Sequence, residues 1–234
     1  MIKDAPREFK SRMTKGQTIA ALVYLPIHAA LLPIALVLLL IDRVDVASIN
    51  FIAYAIGAVY MLIFQWRFLR RDFDTLCDKP VDCLIQVLIC YGIMLALNMC
   101  VGGVLGLIDQ VDNPNNAAVV DMADVKMGAT AAMAIFLAPI VEELMFRGAV
   151  FGLLRRYNRV LAYAVSILLF SAYHVWSYVI ENPVNLIYIL QYLPASYALC
   201  RCYERTETIW SSIFMHMLTN GIAIKALDVL GTLS

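Results

Sequence analysis

Long apolar stretches dominate the chain, and polar residues gather in the short segments between them. A helix needs about 20 mainly apolar residues to cross a hydrocarbon core about 30 Å thick. The pattern predicts membrane-spanning helices at Thr18–Ile41, Val46–Trp66, Leu84–Ile108, Met127–Leu154, Val160–Val179, Val184–Cys200 and Thr208–Leu230. The predicted fold is therefore all-α, a polytopic transmembrane helix bundle with about seven membrane helices, eight being the alternative count.

Composition places the chain in a lipid bilayer. Hydrophobic residues make up 62% of it and charged residues only 15%, whereas soluble domains carry about 25% charged residues. The formal net charge is zero, so no overall field favours nucleic acid as a partner. Asp109–Lys126 is the one sizeable polar connection, and residues 1–234 are predicted to form a single integral membrane domain.

Lysine and arginine predict how the chain is oriented, because connections rich in these residues stay in the cytosol. Fourteen of them lie in the N-terminal tail and in the connections after the second, fourth and sixth spans, whereas Arg43 and Lys126 alone lie on the other side. The N terminus is predicted to be cytosolic and the C terminus external. Without an organelle-targeting signal, the expected location is a bacterial inner membrane.

Three short motifs place ionisable side chains inside predicted spans, where a charge costs at least about 2.5–3.5 kcal/mol. The motifs run from Glu142 through Glu143 to Arg147, from Phe170 to His174, and from His216 to Asn220. At a rise of about 1.5 Å per residue, their polar groups lie roughly 12–21 Å from the cytosolic helix ends. Three helices thus bring polar groups to comparable depth, which predicts an intramembrane polar cavity.

Helical spacing divides the motif residues by role. Glu143 and Arg147 are i,i+4 with the acid first, which is the favourable order for an ion pair. Glu142 points about 100° away from that pair and is left free for chemistry. His216 and Asn220 are also i,i+4, so we expect both to face one cavity.

Helix packing is the competing explanation for these polar residues, because Glu, His and Asn also hold membrane helices together. Such hydrogen bonds contribute only about 0.6 kcal/mol on average, which is small beside the cost of burying a second carboxylate and two imidazoles. Phe170, one turn before His174, is expected to wall the site, with ordinary packing as the alternative. His28, in the first span, is expected to be a packing residue.

At these motifs the chain resembles the CAAX protease and bacteriocin-processing family, whose pattern is E-E-x-x-x-R, F-x-x-x-H and H-x-x-x-N on successive membrane helices. The resemblance covers about Gly128–Ile224, within a motif-bearing core of about residues 127–231. It implies an intramembrane protease that hydrolyses peptides or membrane proteins near the cytosolic face.

The resemblance also implies two mechanisms. In the metal-free one, Glu142 and His174 activate a water, His216 and Asn220 stabilise the oxyanion, and the neighbouring ion pair orients these groups. In the other, Glu142, His174 and His216 bind Zn²⁺, as in His₂Glu zinc enzymes. The metal-free mechanism is preferred because the chain has no H-E-x-x-H motif, and no cofactor is then needed.

Two other classes of function stay open from the sequence. Relatives of this family are also thought to serve as non-enzymatic membrane proteins, such as immunity proteins or scaffolds for a sensor kinase. A small transporter would also carry intramembrane ionisable residues, but no inverted repeat with matched broken helices is evident. The transporter is therefore the least favoured of the three.

Overall fold

A computed structural model describes residues 9–108 and 112–231. Within these ranges the chain is helical and has no strands. Its seven long helices are α1 (Lys15–Leu40), α2 (Val46–Asp78), α3 (Pro80–Leu107), α4 (Pro114–Leu154), α5 (Arg159–Glu181), α6 (Ile189–Thr206) and α7 (Ile209–Gly231). The prediction of an all-α helix bundle is confirmed. Lys3 and Arg7 of the predicted cytosolic tail lie outside the described residues.

The first five helices, α1 to α5, are long and apolar enough to cross a membrane, so the chain is an integral membrane protein. Helices α6 and α7 fall short of that apolar character because polar residues interrupt them. Many of these polar side chains face the protein interior: Ser196 in α6 and Ser211, Ser212 and His216 in α7 are buried. Helices α6 and α7 therefore direct these polar side chains into the bundle and not toward lipid.

Helix α2 continues twelve residues beyond Trp66, where its span was predicted to end, and stops at Asp78. Tertiary contacts hold this extension. The Asp72 carboxylate accepts hydrogen bonds from the Ser11 hydroxyl and from the backbone N–H of Ile209 at 2.9 Å. Arg67, Arg70 and Arg71 were predicted to lie in the connection after the second span, but they lie on helix α2.

The sixth span was predicted to begin at Val184, but the α-helix starts only at Ile189. A short 3₁₀ helix, Pro183–Tyr188, precedes it. The Asn182 side chain accepts from the backbone N–H of Val184 at 3.1 Å and so caps this tighter turn. Because of this capping contact, the α-helix begins about one turn later than predicted. The apolar character of the segment alone does not reveal the contact.

Helix α4 is irregular around the first motif. Lys126 leaves the helical conformation, with φ −147° and ψ 73°, so that residues 114–125 form a separate arm, here called the α4 arm. The sequence predicted a polar connection there, and the structure shows a helix. Two π-helical segments, Met133–Leu137 and Leu144–Phe151, lie on either side of Glu142, and such segments occur often at functional sites.

Glu204 joins three helices at the end of the bundle that is rich in arginine. Its carboxylate accepts from Arg155 at 2.7 Å, from Arg159 at 2.8 Å and from the Tyr163 hydroxyl at 2.8 Å. Burial acts to raise the pKa of Glu204, but these hydrogen bonds outweigh it and lower the pKa to about 2. The cluster ties α4, α5 and α6 together at their arginine-rich ends.

Candidate active site

The predicted ion pair between Glu143 and Arg147 is confirmed. Arg147 Nη1 lies 3.0 Å from Glu143 Oε1, and both side chains are fully buried. Arg147 Nη2 also donates to the hydroxyl and carbonyl of Ser196 at 3.0 and 3.2 Å, and its guanidinium lies 4.1 Å from the centre of the Phe170 ring. The pair therefore anchors α4 against α5 and α6, and Phe170 packs beneath the arginine.

Glu143 has a second partner that the sequence did not reveal. His216 Nδ1 lies 2.9 Å from Glu143 Oε1. A carboxylate can only accept, so Nδ1 must carry the proton in this contact. The ring is held with its other nitrogen, Nε2, 3.9 Å from Glu142 Oε2. Glu143 thus contacts both Arg147 and His216, and it orients the His216 ring on α7.

His174 is oriented in a similar way by its own helix. Its Nδ1 lies 2.9 Å from the backbone carbonyl of Phe170, which can only accept, so Nδ1 again carries the proton. In the singly protonated ring, Nε2 then presents a lone pair, 3.8 Å from Glu142 Oε2. The Tyr192 ring stacks on the imidazole at 4.5 Å between centroids, which fixes its plane.

Glu142 lies between these histidines and a pair of tyrosines. Its Oε1 accepts a hydrogen bond of 2.9 Å from the Tyr54 hydroxyl, which itself lies 2.9 Å from the Tyr173 hydroxyl. Its Oε2 has no hydrogen-bond partner among the residues that the structure describes. One oxygen is therefore held in place, and the other is directed at the two Nε2 atoms.

Asn220 faces the same cavity as His216, as predicted. One N–H of its amide donates to the Ala134 carbonyl at 2.7 Å. In the π-helical register of this segment, the N–H of Ala138 bonds to the carbonyl of Met133, so the partner of Ala134 would be Pro139, which has no N–H. Asn220 supplies the missing donor, and its second N–H is left for another acceptor.

A cavity of about 570 Å³ contains the four predicted catalytic side chains, Glu142, His174, His216 and Asn220. This volume is within the range of ligand-binding pockets. His28, expected only to pack between helices, also lines the cavity. Its ring contacts Tyr54 edge-on at 4.8 Å between centroids. The structure thus brings all four predicted residues together.

Sequence reasoning missed Tyr54, Tyr173, Tyr192 and His28 at this site. Tyr173 directly precedes His174 within its motif, a weak signal that it belongs to the site. Tyr54 and Tyr192 lie on helices that carry no motif, and an aromatic residue there resembles ordinary packing. Gly57 is a partial clue, because a Cβ at that position would come within 3.1 Å of the His28 ring and the Tyr24 hydroxyl.

The cavity lies toward the helix ends that are opposite the arginine-rich end of the bundle. Its lining on α2 and α5 includes Asn50 and Ser177, which are close to the helix ends farthest from the arginine-rich end. The estimated depth of Glu142, about 20 Å from Arg155, is already beyond the middle of a core about 30 Å thick. The expectation of chemistry near the cytosolic face stays a prediction.

The three donors proposed for zinc are Glu142, His174 and His216, and their separations can be compared with those in a zinc site. Ligands of a tetrahedral zinc ion lie about 2.0–2.1 Å from the metal and therefore about 3.4 Å from one another. Glu142 Oε2 is 3.8 Å from His174 Nε2 and 3.9 Å from His216 Nε2. In the part of the chain that the structure describes, no group of three His, Cys, Asp or Glu side chains is placed to hold a metal ion. The donors therefore lie slightly farther apart than a tetrahedral zinc site requires.

Comparison with known protein families agrees with the motif geometry. Residues 125–222 match the family model described as type II CAAX prenyl endopeptidase Rce1-like. This segment belongs to the Rce1-like family. The matched range contains all three motifs, from Glu142 to Asn220, and supports the fold of a CAAX-type intramembrane protease for this segment. No curated protein and no solved structure matches the chain.

Proposed function

We propose that this Rce1-like protein is an intramembrane endopeptidase that hydrolyses peptide bonds of peptide or membrane-protein substrates with a water activated by Glu142 and His174. One observation carries the proposal. The Nε2 atoms of His174 and His216 both lie within 3.9 Å of Glu142 Oε2, and all three side chains line one cavity. Such a cluster of buried acid–base groups in a cleft is typical of hydrolytic sites.

The first step is water activation. A water in this space can donate one hydrogen bond to Glu142 Oε2 and the other to His174 Nε2, because both atoms are acceptors. As the water oxygen attacks the carbonyl carbon, its O–H bond breaks and the proton passes to Glu142. The Tyr54 hydrogen bond to Oε1 leaves Oε2 as the proton-accepting oxygen. Positioned general bases of this kind contribute about 10²–10⁴-fold to the rate.

The second step is stabilisation of the tetrahedral oxyanion. In this proposal His216 is protonated on both nitrogens, so that Glu143 holds Nδ1–H while Nε2–H donates to the oxyanion. The second N–H of Asn220 donates beside it. When the intermediate collapses, the C–N bond breaks and the leaving amine takes the proton from Glu142. Removing one such oxyanion donor typically costs about 10²–10³-fold in kcat.

Charge balance supports this assignment of protons. With Glu142 and Glu143 ionised and Arg147 and His216 positively charged, the four buried groups sum to zero. A balanced, hydrogen-bonded set is far less costly to bury than an isolated charge. The Glu143–Arg147 pair therefore acts as a positioning element, since it orients His216 without facing the cavity.

The test is a charge-removing, shape-preserving substitution. Glu142→Gln should reduce cleavage of a membrane-embedded substrate by at least 10²-fold and leave the thermal unfolding midpoint in detergent unchanged. Glu181→Gln is the matched control, because Glu181 is exposed at the end of α5 and is not part of the cavity lining. Cleavage by Glu142→Gln at the rate of the control would refute the hydrolytic proposal and favour a non-enzymatic scaffold.

A further inference from the structure

Tyr192 is a half-buried residue of α6 that lines the cavity beside His174. The two rings stack with 4.5 Å between their centroids and 23° between their planes. The hydroxyl is attached to the ring that covers the imidazole, so it lies close to the proposed catalytic histidine. Tyr192 belongs to none of the three motifs, and stacking alone does not require its hydroxyl.

Two amides at the start of the α4 arm donate to this hydroxyl. Nδ2 of Asn113 lies 3.1 Å and Nδ2 of Asn115 lies 3.0 Å from the Tyr192 oxygen. The orientation of the Asn113 amide is fixed independently, because its Oδ1 accepts from the backbone N–H of Asn115 at 2.9 Å. Its Nδ2 also donates to Gln191 Oε1 at 2.8 Å. The hydroxyl is therefore held by a connected set of amides and not by a single contact.

The two amides determine what the Tyr192 hydroxyl can still bind. A hydroxyl that accepts from two N–H groups has only its own hydrogen left for a further bond. Among the residues that the structure describes, no acceptor for that hydrogen is in contact with it. Hydrogen bonds in a chain polarise one another, so the two amides strengthen the O–H as a donor. Tyr192 thus offers a donor, and not an acceptor, at the wall of the cavity.

We propose that Tyr192 is a substrate-binding residue, and that its O–H donates to a backbone carbonyl of the bound polypeptide other than the scissile one. The proposal rests on the proposed hydrolytic function, which places a polypeptide in this cavity and assigns the oxyanion to His216 and Asn220. Every residue of a polypeptide carries a backbone carbonyl that accepts hydrogen bonds, so the contact requires no particular side chain. A donor fixed beside His174 sets the register of the polypeptide relative to Glu142.

Binding of a labelled peptide tests this donor without requiring cleavage. A fluorescein-labelled apolar peptide, selected from a random-sequence panel for binding to the Glu142→Gln protein in detergent, is titrated against that protein with and without Tyr192→Phe. Loss of one neutral hydrogen bond should raise the Kd about 3- to 10-fold. An unchanged Kd would overturn the proposal, as would the absence of any peptide that binds.

Tyr197→Phe in the same background is the matched control. It makes the same chemical change on the same helix, but Tyr197 is not part of the cavity lining, so the Kd should stay unchanged. A Kd raised equally by Tyr197→Phe and Tyr192→Phe would contradict a specific contact with the peptide.

A second measurement separates the peptide contact from a loosened α4 arm, because Tyr192→Phe also removes the group to which Asn113 and Asn115 donate. Peptides in which one backbone carbonyl at a time is replaced by a thiocarbonyl, a weaker acceptor, are titrated against both proteins. One such replacement should weaken binding when Tyr192 is present and have no effect in Tyr192→Phe. Equal effects in the two proteins at every position would indicate a structural role and overturn the proposal.

Kinetics distinguish failure of this proposal from failure of the proposed function. For a peptide that the wild-type protein cleaves, Tyr192→Phe should raise KM and change kcat little, as expected for a contact made equally in the ground and transition states. A loss confined to kcat would overturn the binding role. If the wild-type protein cleaves no peptide while Tyr192→Phe still weakens binding at one carbonyl, hydrolysis is refuted and the role of Tyr192 stands.

Discussion

Tyr54→Phe removes one hydroxyl from the site and nothing else. That hydroxyl donates to Glu142 Oε1 at 2.9 Å and contacts the Tyr173 hydroxyl at the same distance. A hydrogen bond to a charged group contributes about 1.5–3 kcal/mol, and each 1.36 kcal/mol changes a rate about tenfold. If the bond holds the carboxylate in its reactive position, kcat should fall about 10- to 100-fold.

The assay is steady-state cleavage of one peptide substrate in detergent, with kcat and KM measured separately. We expect the loss to fall on kcat with little change in KM, because Tyr54 orients the base and not the substrate. Phenylalanine keeps the ring that contacts His28, so the unfolding midpoint should change little.

Tyr60→Phe is the matched control. It makes the same chemical change on the same helix, but the Tyr60 hydroxyl donates to the carbonyl of Ala20 at 3.1 Å and not to Glu142. If Tyr54→Phe and Tyr60→Phe lose the same amount of activity, or if Tyr54→Phe retains full kcat, the positioning role of Tyr54 is refuted.

Three further predictions concern the Glu143–Arg147 pair, the Glu204 cluster and the dependence of activity on metal. Glu143→Gln leaves Arg147 without its carboxylate and should destabilise the protein by about 3–5 kcal/mol, measured by thermal unfolding in detergent; an unchanged midpoint would contradict the pairing. Because the pKa of Glu204 is about 2 against an ordinary 4.5, the stability from its hydrogen bonds, at most about 3 kcal/mol, is present above pH 4.5 and is lost as the pH falls toward 2. Glu204→Gln should flatten that acid-side dependence, and an unaltered profile would exclude it as the cause. Treatment with EDTA should leave kcat/KM unchanged, whereas a loss that Zn²⁺ alone restores would replace the metal-free mechanism with the zinc one.

Contacts within one helix were predictable from the sequence, because helical spacing fixes which side chains share a face. The i,i+4 rule placed Glu143 against Arg147 and directed Glu142 elsewhere, as the structure shows. The same rule put His216 and Asn220 in one cavity. The all-α fold followed from the lengths of the apolar stretches.

Contacts between helices were not predictable in this way. Tyr54 reaches Glu142 across 88 positions of the sequence, and His216 reaches Glu143 across 73. Such pairs depend on how helices are rotated and displaced against each other, which apolar periodicity does not specify. Pro139 illustrates the difference: its missing N–H was visible in the sequence, but only the packed structure shows Asn220 supplying a donor to Ala134.

The direction of the cavity depends on the same long-range packing. Helical rise placed Glu142 roughly 20 Å from the arginine-rich helix end, and the resemblance implied chemistry near the cytosolic face. The lining residues and the buried layer beneath Arg147 place the cavity toward the helix ends opposite the arginine-rich end. The resemblance implied the catalytic roles of the motif residues, whereas the packing of this chain determines where their side chains lie.

The central claim is that Glu142 and His174 act on one water as a unit. A double-mutant cycle with Glu142→Gln, His174→Gln and the double variant, read as kcat/KM, tests it most directly. Groups that act as a unit are strongly non-additive, so we predict that the double variant loses no more activity than the worse single variant. Losses that multiply, as they do for independent sites, would contradict the account.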